Sequence, residues 1–110
     1  MLKCCFRLGE FGGVKTFSGF EISGHAGYGL AVSEKEGSDI VCAAVSSCTM
    51  LVCNCITENF KANAKVTVEE NRITLRLLAY SEAAAGLISA LYEHLEALAE
   101  DYGKIKVSVE

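Results

Sequence analysis

No stretch of this chain approaches the ~18 uninterrupted apolar residues of a membrane span. The opening Met1-Leu2-Lys3-Cys4-Cys5 lacks the longer apolar core of a secretion leader. These two absences point to a cytoplasmic protein with no membrane partner. No cluster of lysine and arginine is visible along a chain whose formal net charge is −4, which argues against a nucleic-acid binder held by phosphate contacts. Paired C-x-x-C motifs are missing; Cys53-Asn54-Cys55 stands alone, and His25 and His94 lie far apart. A zinc site is therefore not expected, and neither is any other metal or cofactor. Internal repeats, linkers and low-complexity tracts are absent, so residues 1–110 read as one domain. Proline is absent altogether, and that has no evident physical reason.

What is present is enough apolar material for a core. A 110-residue chain buries roughly 60–70% of its unfolded surface without needing staples. Six cysteines in such a chain, without a secretion signal, do not argue for a disulfide framework. Cys4, Cys5, Cys48, Cys53 and Cys55 read most simply as small buried hydrophobes.

The pattern of elements follows from periodicity and breakers. Leu2–Leu8 reads as a strand, Gly9–Gly13 as a hairpin connection, and Val14–Ser23 as a second strand with Phe20 and Ile22 on one face. Gly19 inside that strand suggests a bulge or close packing. Gly27–Gly37 reads as a polar, glycine-rich loop, expected to be mobile and to act as a lid or substrate clamp. Ser38 or Asp39 predicts a helix cap. Val41, Ala44, Val45, Cys48, Val52, Cys55 and Ile56 then recur at helical spacing to about Asn59. Lys65–Glu69 and Arg72–Ala79 read as strands joined by a Glu70-Asn71 turn. Ser81 caps a second helix to about Tyr102, with Leu87, Leu91, His94, Leu95 and Leu98 inward, and Gly103 stops it. Ile105–Val109 is a last strand. The order β-β-α-β-β-α-β predicts a two-layer α/β (α+β) sandwich: one mixed or antiparallel sheet with two helices on one face.

Chemistry concentrates between Gly24 and Ser46. His25 falls just past a strand end, where Gly24 lets the backbone turn tightly and aim the imidazole. Cys42 falls in the expected first turn of a helix, where free N–H groups and the dipole favour a thiolate. The pair suggests a nucleophile and its base. Asp39 either caps the helix or orients His25. Ser46, one turn beyond Cys42, either bonds the thiol or bonds back to its own helix. Free N–H groups near Cys42 and Ala43 are candidates for an oxyanion hole. His94, among leucines, reads as structural. A peptide-capturing module without catalysis and a redox sensor built on Cys42 are the alternatives.

The combination G-F-E-I-S-G-H-A (residues 19–26) followed by G-S-D-I-V-C-A-A-V-S (residues 37–46) resembles the bacterial ribosomal-processing cysteine protease family. The match is dense from Gly19 to Ser46, and the order of elements agrees over the whole chain. The resemblance places the family's histidine at His25, its nucleophilic cysteine at Cys42, its aspartate at Asp39 and its serine at Ser46. Gly27, Tyr28, Gly29 and Gly37 fall in the substrate loop. It implies a homodimeric protease whose substrate is a ribosomal protein precursor. The family removes a short N-terminal extension from large-subunit ribosomal protein twenty-seven, cutting after an aromatic pair in a short apolar motif. The loop between His25 and Cys42 is several residues longer than is usual in the family.

Overall fold

The computed structural model describes residues 2–24 and 36–110, without the side chains of residues 36–39. Strands β1 (Leu2–Phe11) and β2 (Val14–Ser23) form a hairpin. Helix α1 (Glu36–Asn54) continues as a π-helical turn (Cys55–Asn59). A second hairpin, β3 (Ala64–Glu69) and β4 (Arg72–Leu77), leads to helix α2 (Glu82–Tyr102) and strand β5 (Ile105–Val109). The sheet order is β3-β4-β2-β1-β5, antiparallel except where β5 joins β1 in parallel. This is the expected α+β arrangement with a mixed sheet.

The turns and caps have local causes. Gly12 and Gly13 take φ of +57° and +89°, which a two-residue hairpin turn of the favoured twist requires and glycine accepts without strain. The Ser81 hydroxyl accepts the Ala84 N–H at 3.2 Å and starts α2. Gly103, at φ +68°, donates its N–H to the Ala99 carbonyl and ends it. Gly19 has the close packing its place in a strand suggested: a Cβ there would run into the Leu75 carbonyl of β4. The register slips next to it, between Arg7 and Leu8 of β1.

Alternation then sends one set of side chains to each side of the sheet. Cys4 and Phe6 of β1, Phe20 and Ile22 of β2, and Ile73, Leu75 and Leu77 of β4 face the helices and are buried. The inner side of α2 is Ala84, Ala85, Ile88, Leu91 and Leu95. His94 is exposed, which corrects its inward placement, because it lies one step around the helix from Leu95. Tyr92 seals the end of this layer, its ring centroid 5.3 Å from that of Phe6 and 5.4 Å from that of Phe17.

Helix α1 buries Val41, Val45, Val52 and Cys53, with Thr49 in the same stripe, and the π-helical turn adds Ile56. Its stretch Ile40–Asn59 is long and apolar enough, by length and composition, to cross a membrane, contrary to the expectation that no such stretch exists. Serine, threonine and asparagine interrupt the apolar run, but only Glu58 is charged. The buried stripe packs into the core of this domain, as the helix of a two-layer fold does.

Among the described residues the other face of the sheet carries no helix. Lys3, Arg7, Lys65, Arg72, Arg76 and Lys106 all lie on it, on exposed positions of four strands, β1, β3, β4 and β5. Helix α2 by contrast holds Glu82, Glu93, Glu96, Glu100 and Asp101 and no lysine or arginine.

Candidate active site

The chain enters the site through β2, which lies in the middle of the sheet. Its last residue, Ser23, pairs with Lys3 on one side and Arg72 on the other. Gly24 follows with φ +107°, a conformation that side chains rarely adopt, and donates its N–H to the Asn71 carbonyl at 3.1 Å. The β3–β4 turn thus anchors the point at which the backbone leaves β2. Gly24 supplies the turn expected of it. His25, Gly27, Tyr28 and Gly29 lie outside the described residues, as does the loop reading for residues 27–35.

Helix α1 is described from Glu36, and residues 37–39 are already helical, so neither Ser38 nor Asp39 is the cap expected there. Gly37 therefore belongs to the helix and not to the loop. Asp39 lies within the helix and does not cap it. The reason is that a capping side chain is a weak local signal, worth about 1 kcal/mol. Cys42 accordingly lies beyond the first turn. Its N–H and that of Ala43 have intrahelical acceptors, the carbonyls of residues 38 and 39, so neither is a free donor for an oxyanion.

Positions 39, 42 and 46 nonetheless share one face of α1, separated by three and four residues. Cys42 is half-buried and packs against the edge of the core cluster, beside the buried stripe. Ser46 is half-buried one turn further on.

The other cysteines are divided by burial. Desolvation, with the nearby Cys48 adding to it, pushes the Cys4 thiol up to about 12. Desolvation alone pushes Cys53 up to about 11. Cys48 is also raised by burial, and its thiol donates to the Val45 carbonyl at 3.4 Å. These three are held as neutral thiols, poor nucleophiles at ordinary pH. Cys5 and Cys55 are half-buried, less covered than expected. Among the described residues no three histidine, cysteine or acidic side chains converge as a metal site requires.

A consequence can be measured. In the native protein Cys4 and Cys53 are expected to resist iodoacetamide at pH 8 and to be alkylated only in guanidinium, as read by peptide mapping. Their native pKa values lie above the ordinary 9.0. Stability is therefore full below about pH 9 and falls as pH rises toward 11–12, because the unfolded thiols ionise first. A guanidinium midpoint unchanged between about pH 8 and pH 10 would contradict the burial of these two thiols.

A two-layer fold that shields several sulfurs and leaves Cys42 at the edge of the core, near the start of a helix, fits a cysteine peptidase. The model of the family "cysteine protease Prp" matches residues 10–106, and the chain belongs to that family. Among solved structures, SMU.848 from Streptococcus mutans is similar at 25% identity and a TM-score of 0.74, covering 100% of this chain and 96% of that one. Two structures of the essential ribosomal processing protease Prp from S. aureus are similar over 100% of both chains. The one with a covalently linked product peptide has 18% identity and a TM-score of 0.80. The one with a substrate peptide has 16% identity and a TM-score of 0.82. The S. aureus likeness, at such identities, is one of fold. No curated protein matches the chain.

Proposed function

We propose that this cysteine peptidase removes the short N-terminal extension of large-subunit ribosomal protein twenty-seven, using Cys42 as nucleophile and His25 as base. The observation that carries this reading is the family match across residues 10–106, which spans both residues. The S. aureus relatives, described as ribosomal processing proteases, add the substrate class. His25 takes the proton from the Cys42 sulfur. The thiolate adds to the scissile carbonyl, and the tetrahedral intermediate collapses as His25 protonates the departing amine. Water, deprotonated by His25, then attacks the thioester and releases the acid, and the proton returns to sulfur. Asp39 orients His25 in this reading, and Ser46 supports the thiol from one turn away. Gly24 aims the chain, and residues 27–29 with Gly37 flank the substrate.

The whole of residues 1–110 acts as one catalytic domain. The reading places it in the cytoplasm, where thiols stay reduced. Incubation of the purified protein with the ribosomal protein precursor, under reducing conditions, is expected to yield the shortened protein by mass spectrometry. Tight binding with no product would replace the peptidase reading by that of a peptide-capturing module.

The homodimer belongs to the same proposal. The outer side of α1 is uncharged from Ile40 to Thr57, and Ile40 and Leu51 are 62% and 63% exposed on it. Paired with a second copy, this face loses its apolar exposure. Leu51→Glu is expected to shift light-scattering mass from two chains to one at micromolar concentration, with the circular dichroism unchanged. Retention of the two-chain mass would move the interface elsewhere.

A further inference from the structure

The open face of the sheet holds an anion-binding groove, and we propose that it docks the phosphate backbone of structured RNA. The register aligns Lys65 of β3 with Arg76 of β4, Arg76 with Gly19 of β2, and Gly19 with Arg7 of β1. Residues as far apart in sequence as Arg7 and Arg76 thus stand in one row across four strands, two strand spacings or about 10 Å from each other. Gly19 has no side chain, so the middle of the row is a trough. It opens into a cavity of about 390 Å³ that Arg7, Lys65 and Arg76 border together with the hydroxyls of Ser18, Thr67 and Thr74. Among the described residues no carboxylate lines it. The acidic partners on this face sit elsewhere: Glu21 and Glu69 pair with Arg72. Glu110 reaches Arg7 only at 3.6 Å, with both side chains more than half exposed.

The Ser18 hydroxyl is already given to the Arg7 carbonyl at 3.4 Å, and the three cations with the hydroxyls of Thr67 and Thr74 are the donor set that phosphate diester oxygens take in sequence-independent contacts. The positions bordering the trough carry no aromatic and no exposed aliphatic side chain, which leaves out base stacking and the apolar anchoring that a membrane surface needs. The acidic α2 lies on the opposite layer, so the molecule is polarised and meets a polyanion sheet-first. The expectation of no nucleic-acid partner rested on the want of a basic cluster along the chain; strand pairing assembles one across it. The groove lies four residues of β2 before Ser23, about 13 Å from the strand end that leads to His25. None of the groove's lining residues belongs to the proposed catalytic set, so the inference stands apart from the catalytic reading.

The test uses the full chain and a fluorescent duplex RNA hairpin, followed by anisotropy. Three phosphate contacts predict an affinity that falls about 40-fold between 50 and 200 mM salt. Lys65→Glu with Arg76→Glu is expected to weaken binding at least tenfold while peptide hydrolysis stays as it was. Arg7→Gln, a milder change, is expected to weaken it severalfold if the double variant does not fold. Absence of binding at 50 mM salt, an affinity indifferent to salt, or unchanged binding by the variants would overturn the proposal. So would tighter capture by polyglutamate or by phosphatidylserine vesicles than by RNA.

Discussion

Cys42→Ala and Cys42→Ser are expected to lower the rate of precursor cleavage by about 10,000-fold or more, the loss seen when a catalytic nucleophile is removed. The chain is expected to fold all the same, because Cys42 is half-buried at the rim of the core and its sulfur fills little enclosed space. The serine variant is the sharper of the two. It keeps an atom in the position of the sulfur but has a far higher pKa, so a surviving rate would mean that the thiolate is not the attacking group. His25→Ala is expected to cost a similar factor, and the double variant no more than the worse single one, since the two act as a unit. A product-release assay by mass spectrometry, run beside circular dichroism, checks both halves. Full activity of Cys42→Ala removes the peptidase mechanism, and additive losses in the double variant remove the pairing with His25.

Gly19→Ala is expected to destabilise the protein by about 3 kcal/mol, a large share of the stability of a domain this size. The new Cβ meets the Leu75 carbonyl and the Arg76 Cα, both backbone atoms of a paired strand that cannot swing aside. The strain spreads through the β2–β4 pairing and lowers the melting temperature by roughly 15 °C. Gly86 provides the control. It lies exposed in α2 with nothing within 4 Å of a Cβ, so Gly86→Ala is expected to add about 0.5–1 kcal/mol through helix propensity. Calorimetric scans of the two variants with opposite signs support the packing at Gly19. A loss at Gly19 no larger than about 0.5 kcal/mol would mean that the strands separate more easily than this sheet allows.

The strands, both helices and their order were legible because each carries its own short-range signal. Period-two apolar residues mark β4, a serine and a glycine mark the ends of α2, and paired glycines mark the first turn. The start of α1 was not legible. Ser38 and Asp39 are good caps in isolation, yet both lie inside the helix, and the cost of passing over a cap is smaller than what packing along the helix settles. That shift decides what surrounds Cys42: its N–H is already bonded, and the position shares a helix face with 39 and 46.

The sequence by itself determined which residue types are at hand: a histidine after a strand, a cysteine near a helix start, and six cysteines of similar outward appearance. Tertiary structure alone decided their environments. Burial against the sheet raises Cys4 and Cys53. Strand register, set by which strands pair, gathers Lys65, Arg76 and Arg7 into one row. Desolvation and cross-strand neighbours arise only when distant segments meet, so no local pattern along the chain encodes them.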